Sequence, residues 1–256
     1  MYPNLFGIEF LDSYAIMLIL GVLAFTGVFF IKTKKYNFSK ILKENLIICF
    51  IISGCLMYVG AFFFDSLFHS IEEGKLVKGG ITYLGGFITA IITFVILIIK
   101  VMPYHKKNIL FFLNIIIIGI VIAHSLGRVG CFLAGCCYGK QTTSIFGVTF
   151  PKGSTAYFLY GPNHSVLPTQ LFEAIFLFLL FIVLLFIKKN QFVVYLFSYG
   201  IFRFVLEFLR GDDRGSLFIL SPSQWLSIAL IITGIIILIK KPNQEYIPSI
   251  KTETEI

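Results

Sequence analysis

Long apolar runs constrain this chain more than any other feature. Seven stretches, Ser13–Ile31, Asn45–Phe64, Ile81–Val101, Ile109–Leu126, Gln170–Ile187, Phe192–Phe208 and Ser221–Ile239, are dominated by Ile, Leu, Val and Phe. Each comes close to the ~20 residues that carry a helix across the hydrocarbon core of a bilayer. Lipid offers no partner to a backbone N–H or C=O, so such runs must cross as helices that bond internally. Charged residues make up only 13% of the 256, about half the share found in water-soluble domains, which excludes that class. The expected fold is therefore an all-α integral membrane protein with seven transmembrane helices. No basic residue precedes the first run, and it passes straight into Lys32, Lys34 and Lys35; it reads as a retained helix, not a cleaved signal.

Lys and Arg set the orientation. One set of alternate loops holds Lys32, Lys34, Lys35, Lys40, Lys43, Lys100, Lys106, Lys107, Lys188, Lys189, Lys240, Lys241 and Lys251. The other set holds Lys75, Lys78, Arg128, Lys140, Lys152, Arg210 and Arg214. Thirteen against seven predicts an amino terminus outside and a carboxyl terminus in the cytoplasm. It also accounts for the +8 formal charge without a nucleic-acid partner. Three polar segments then face outward: Asp65–Gly80, Arg128–Thr169 and Arg210–Leu220. The chain reads as one membrane domain over residues 1–240, with an outer-face loop or arm at about 140–169 and a flexible tail, 241–256, containing Pro242 and Pro248.

An ionisable side chain at bilayer depth costs roughly 2.5–3.5 kcal/mol even on lenient scales, so each one asks for a partner or a task. In the sixth run Tyr195, Tyr199, Arg203 and Glu207 follow one another at four-residue spacing, and Arg210 continues the same stripe. One reading is an Arg203–Glu207 pair that only neutralises itself. The other is the polar wall of a cavity where a guanidinium meets an anion, phosphate above all; the two tyrosines, which a salt bridge does not need, favour it. At the outer end of the fourth run, His124-Ser-Leu-Gly-Arg128-Val-Gly130-Cys131-Phe-Leu-Ala-Gly135-Cys136-Cys137-Tyr138-Gly139 sets an arginine among glycines. Such glycines either bring backbone amides up to an anion or let helices pack closely. Glu173, just after Pro168-Thr-Gln170, is a carboxylate favoured by its helix start or one that positions an arginine or handles a proton. The paired glycines Gly79-Gly80 and Gly85-Gly86 suit a broken helix or, better, close helix packing.

Cys49 and Cys55 read as buried fillers. Cys131, Cys136 and Cys137 share the outward segment with His124 and admit a disulfide, a reactive thiol or plain packing. Their Cys-x4-Cys-Cys spacing is not that of a zinc finger or ribbon, so no metal is expected. His124, one turn before Arg128, is the best placed general base among the four histidines, although a histidine bonded to a backbone carbonyl fits the same position.

The GRVGCFLAGCCYG segment, the PTQLFEA segment and the Tyr199-to-Arg210 stripe, in this order on a seven-span chain, resemble bacterial prolipoprotein diacylglyceryl transferase, and the likeness extends from Tyr14 to about Arg210. The resemblance implies an enzyme of the bacterial inner, cytoplasmic membrane. It would move the diacylglyceryl group of phosphatidylglycerol onto the lipobox cysteine thiol of a prolipoprotein and release glycerol phosphate, with no cofactor. By the same resemblance Arg128, Gly130, Gly135 and Gly139 match the glycine-rich signature. Tyr199, Arg203, Glu207 and Arg210 match the late tyrosine, arginines and glutamate; Glu173 and Tyr14 match a glutamate after a proline and an early tyrosine. Cys131, Ala134 and Cys136 stand where the signature usually has asparagine, asparagine and glutamate. Leu84 and Leu167 stand where histidines are usual.

The expected mechanism has Arg128 and Arg203 gripping a phospholipid phosphate, Glu207 orienting Arg203, and His124 deprotonating an acceptor thiol. Competing readings are a related transferase with another acceptor, Cys136 or Cys137 included, and a non-enzymatic lipid or anion transporter. A transporter needs polar residues continuing toward the cytoplasm, and the fifth and seventh runs supply almost none.

Overall fold

The computed structural model describes residues 12–211, 219–240, 242 and 244–247. Arg214, Lys241, Lys251 and most of the tail, all read above, lie outside them. The described chain is mostly helical: α1 (Ser13–Lys35), α2 (Lys40–Glu73), α3 (Tyr83–Val101), a 3-10 turn (Pro103–Asn108), α4 (Ile109–Ala134), α5 (Thr155–Tyr160), α6 (Thr169–Phe186), α7 (Gln191–Glu207) and α8 (Pro222–Lys240). Two short strands, β1 (Val148–Thr149) and β2 (Ser165–Val166), pair antiparallel.

Six helical segments among the described residues are long and apolar enough to cross a membrane: Ser13–Lys35, Lys40–Ile71, Tyr83–Val101, Pro103–Ala134, Thr169–Phe186 and Pro222–Lys240. The protein is a multi-pass membrane protein. Those six fall on six of the seven apolar runs. The remaining run, Phe192–Phe208, forms α7, whose 17 residues rise about 25 Å and carry the tyrosine, arginine and glutamate stripe.

The chain forms two compact units. The first comprises the described residues within Met1–Phe30, Ile116–Gln191 and Phe202–Asp213; the second comprises those within Ile31–Ile115, Phe192–Ile201 and Arg214–Ile256. In the second unit, Ser39 caps α2 by accepting from Leu42 N at 3.2 Å, and Gly74, at φ 65°, ends that helix. α2 therefore continues past Asp65 into a segment expected to be loop. His69 helps to hold those turns, its Nδ1 lying 2.9 Å from the Asp65 carbonyl. Asp65 and Ser66 also bond the backbone N–H groups of Gly80 and Gly79 (2.5 and 3.1 Å). These bonds pin the loop before α3 to α2. A Cβ at Gly85 would meet Phe64 at 2.6 Å, and one at Gly86 would meet the Met57 carbonyl at 2.9 Å; the paired glycines serve close packing of α3 on α2.

Residues 246 and 247 of the tail are held by contacts within the second unit. Asn108, 1% exposed, donates to the Ile247 carbonyl at 2.8 Å and accepts from Ile247 N at 3.0 Å. Beside it, Tyr246 packs on Phe38 and Phe111 with ring centroids 5.0 and 5.6 Å apart. A buried amide asks for two partners, and this one finds both in the tail backbone.

In the first unit, the arm expected at about 140–169 is a small folded module. β1 and β2 frame α5, which Ser154 caps through Tyr157 N at 3.2 Å. Tyr138, Phe150, Ala156 and Val166 form its own apolar core, flanked by Phe132 and Tyr160. Its base is stitched by backbone bonds from Gly139 N to Leu167 O (2.8 Å), Leu167 N to Lys140 O (3.0 Å) and Lys140 N to Leu209 O (2.9 Å).

Candidate active site

The first turn of α6, in the first unit, turns its polar side chains on the cysteine segment. Thr169 Oγ1 donates to the Cys137 carbonyl at 3.0 Å, and Gln170 Nε2 donates to the Cys136 carbonyl at 2.5 Å. One turn on, α6 meets α4, where Ser125 Oγ donates to the Ala174 carbonyl at 2.9 Å. That contact brings Glu173 against two residues of α4. Its Oε2 lies 3.0 Å from Arg128 Nε and its Oε1 lies 3.7 Å from His124 Nε2. The Glu173 side chain is wholly buried, and those of Arg128 and His124 are under one-tenth exposed.

His124, Arg128 and Cys131 stand at i, i+4 and i+7, so one face of α4 carries all three. Arg203 and Glu207 pair along α7 at 2.5 Å, both nearly out of solvent. Arg203 lies within electrostatic reach of His124, and so does Arg128. Arg210, 5% exposed, follows α7 and bridges by backbone to Gly139. The first unit therefore gathers His124, Arg128, Glu173, Arg203, Glu207 and Arg210. Tyr195 and Tyr199 belong to the second unit, where their rings stack at 5.3 Å and Tyr199 meets Tyr83 edge-on at 6.2 Å.

The three outward cysteines converge. Their sulfurs all lie within 4.8 Å of one another, and none forms a disulfide. The thiols of Cys131 and Cys136, with Arg128 and Arg210 behind them, hold Cys137 below the usual thiol range. Contact with the other two thiols, and burial, push Cys136 above it. Tyr14 lies within electrostatic reach of all three cysteines and of Arg128.

Three glycines of the signature, Gly130, Gly135 and Gly139, face protein. A Cβ at Gly130 would come 3.0 Å from the Tyr14 ring, one at Gly139 would come 2.7 Å from the Leu209 carbonyl, and one at Gly135 would collide with Ser154. They admit α1, the arm and the end of α7 to the segment around Arg128. Thr169, Gln170 and Ser125 were not singled out from sequence. The PTQ triplet was the available signal, because polar residues opening an otherwise apolar helix must bond something.

Apolar helices of membrane-spanning length, with guanidinium–carboxylate pairs buried in the first unit, define a membrane protein that keeps charge out of water. The chain belongs to the prolipoprotein diacylglyceryl transferase family, whose profile matches residues 3–240. It is 34% identical over 246 residues to the phosphatidylglycerol–prolipoprotein diacylglyceryl transferase of Clostridium tetani, covering 91% of this chain and 94% of that one. A second such transferase, from Clostridium perfringens, is 32% identical over 251 residues (91% and 92% covered). That of Dehalococcoides mccartyi is 32% identical over 211 residues (78% of each).

Proposed function

We propose that this protein transfers the diacylglyceryl group of phosphatidylglycerol to the lipobox cysteine of a prolipoprotein, releasing glycerol phosphate. In this reading it is one domain that crosses the bacterial cytoplasmic membrane seven times, α7 included, with its amino terminus outside and its carboxyl terminus in the cytoplasm. The thirteen-to-seven split of basic residues supports that orientation.

One observation carries the chemistry. Arg128 and Arg203 are both buried, each is held by its own carboxylate, Glu173 or Glu207, and both lie within electrostatic reach of His124. A guanidinium buried in apolar surroundings is poorly screened, so it holds a phosphate strongly. The two arginines bind the donor phosphate, with Arg210, Tyr14 and the backbone around Gly130, Gly135 and Gly139 shaping the remainder of the donor site. As the glycerol carbon–oxygen bond breaks, negative charge grows on the departing phosphate, and fixed guanidiniums stabilise it without reorganising. The acceptor sulfur attacks that carbon, and His124 takes the thiol proton.

The test uses purified protein in micelles containing phosphatidylglycerol, with a lipobox-cysteine peptide, and mass spectrometry scores diacylglyceryl adducts on the peptide and on the protein. The expected result is an adduct on the peptide. Lipid consumed with no peptide adduct would replace the acceptor; no consumption at all would overturn the reading.

A further inference from the structure

The phosphate-binding half of this reading leaves Cys131, Cys136 and Cys137 without a task, yet their geometry is built. Cys131 lies on the last turn of α4. Gly135 at φ 71° and Cys137 at φ 63° turn the chain back on itself, so that two later thiols return to the first. A left-handed conformation costs a non-glycine residue about 1–2 kcal/mol. The side chains of Thr169 and Gln170 hold it in place, bonding the Cys137 and Cys136 carbonyls.

Three thiolates are a soft donor set suited to a thiophilic cation. Sulfurs about 2.3 Å from a shared ion sit within about 4 Å of one another, so a cluster spread over 4.8 Å closes on an ion with little movement. Among the described residues the group has three members, whereas zinc takes four ligands, and three protein ligands with an open fourth place mark catalytic zinc sites.

We propose that Cys131, Cys136 and Cys137 bind a zinc ion whose fourth position takes the acceptor cysteine. The acceptor half of this rests on the transferase reading above. A thiol that coordinates zinc gives up its proton, here to His124. The bound sulfur then attacks the glycerol carbon: the sulfur–carbon bond forms, the carbon–oxygen bond breaks, and its electron pair leaves with glycerol phosphate. The zinc and its three ligands are unchanged, and the thioether product, a weaker ligand, dissociates.

The experiment uses full-length protein in detergent, stripped with a chelator and reloaded with Zn2+ or, as a spectroscopic stand-in, Co2+. Expected are one Zn2+ per chain by elemental analysis, and a sulfur-to-cobalt charge-transfer band with tetrahedral visible bands. Affinity should weaken by more than about 100-fold in Cys137→Ser, beyond the effect of losing an outer-shell partner. A lipobox-cysteine peptide should change the cobalt bands, and its serine counterpart should not. A disulfide among the three in protein prepared under reductant, or no thiolate band with cobalt, overturns the site. Unchanged cobalt bands with the cysteine peptide, or full transfer by the stripped protein, overturn its acceptor role while the transferase reading stands. Cobalt bands that respond to the thiol peptide in a protein that never consumes phosphatidylglycerol would sink the transferase reading and keep the site.

Discussion

Glu173 Oε2 lies 3.0 Å from Arg128 Nε, between two helices and out of reach of water. A guanidinium so placed depends on its counter-charge, and removing one partner of a buried pair costs about 3–5 kcal/mol. Glu173→Gln should lower the thermal unfolding temperature in detergent and abolish transfer from phosphatidylglycerol. A variant that unfolds like the parent would mean that water or another group compensates Arg128.

Arg203 is assigned to the donor phosphate, with Glu207 orienting it. Arg203→Ala should reduce transfer by about 10²–10³, the scale of losing one preorganised donor at a developing charge. Arg203→Lys should fall between the two, because it keeps the charge and loses the planar fork. Measured as initial rates with a lipobox-cysteine peptide, full activity in Arg203→Ala would remove this residue from the mechanism.

Two glycines of one segment should respond in opposite ways. Gly135 is at φ 71° and faces Ser154, whereas a Cβ at Gly127, inside α4, would meet nothing within 4 Å. Gly135→Ala should destabilise by at least about 1–2 kcal/mol from the backbone alone, and Gly127→Ala should be neutral or stabilise by up to about 1 kcal/mol. Thermal unfolding of the two variants side by side decides it.

Asn108 holds Ile247, and neither is among the residues assigned to the chemistry. Asn108→Ala removes both bonds to Ile247, each worth about 0.5–1.5 kcal/mol. Residues 244–247 should then become open to limited proteolysis, with transfer rates unchanged. Protection equal to the parent's would show that Tyr246 alone suffices.

The apolar runs made the helices legible, because period and length survive any tertiary arrangement. They did not show where helices overrun, as α2 does past Asp65, since that depends on Gly74 being the residue that takes a left-handed turn. Arg203 and Glu207 were legible as a pair because they sit four apart on one helix. Glu173 was legible as a carboxylate that could position an arginine, but its partner Arg128 was not, because nothing local says that α4 and α6 meet there. The cysteines show the same limit more sharply: their linear spacing argued against a common ligand, and two left-handed residues bring them together regardless.

The junction of Gly139, Leu167 and Leu209 also bears on biosynthesis. Chains emerge amino terminus first, so Arg128 and the thiols are made well before Arg203 and the Leu209 carbonyl that receives Lys140 N. A truncated or stalled chain that ends before α7 lacks the second guanidinium and the last stitch at the base of the arm. On the proposed reading the donor site is complete only once nearly the whole chain has been made, so a half-made copy would carry one of its two arginines.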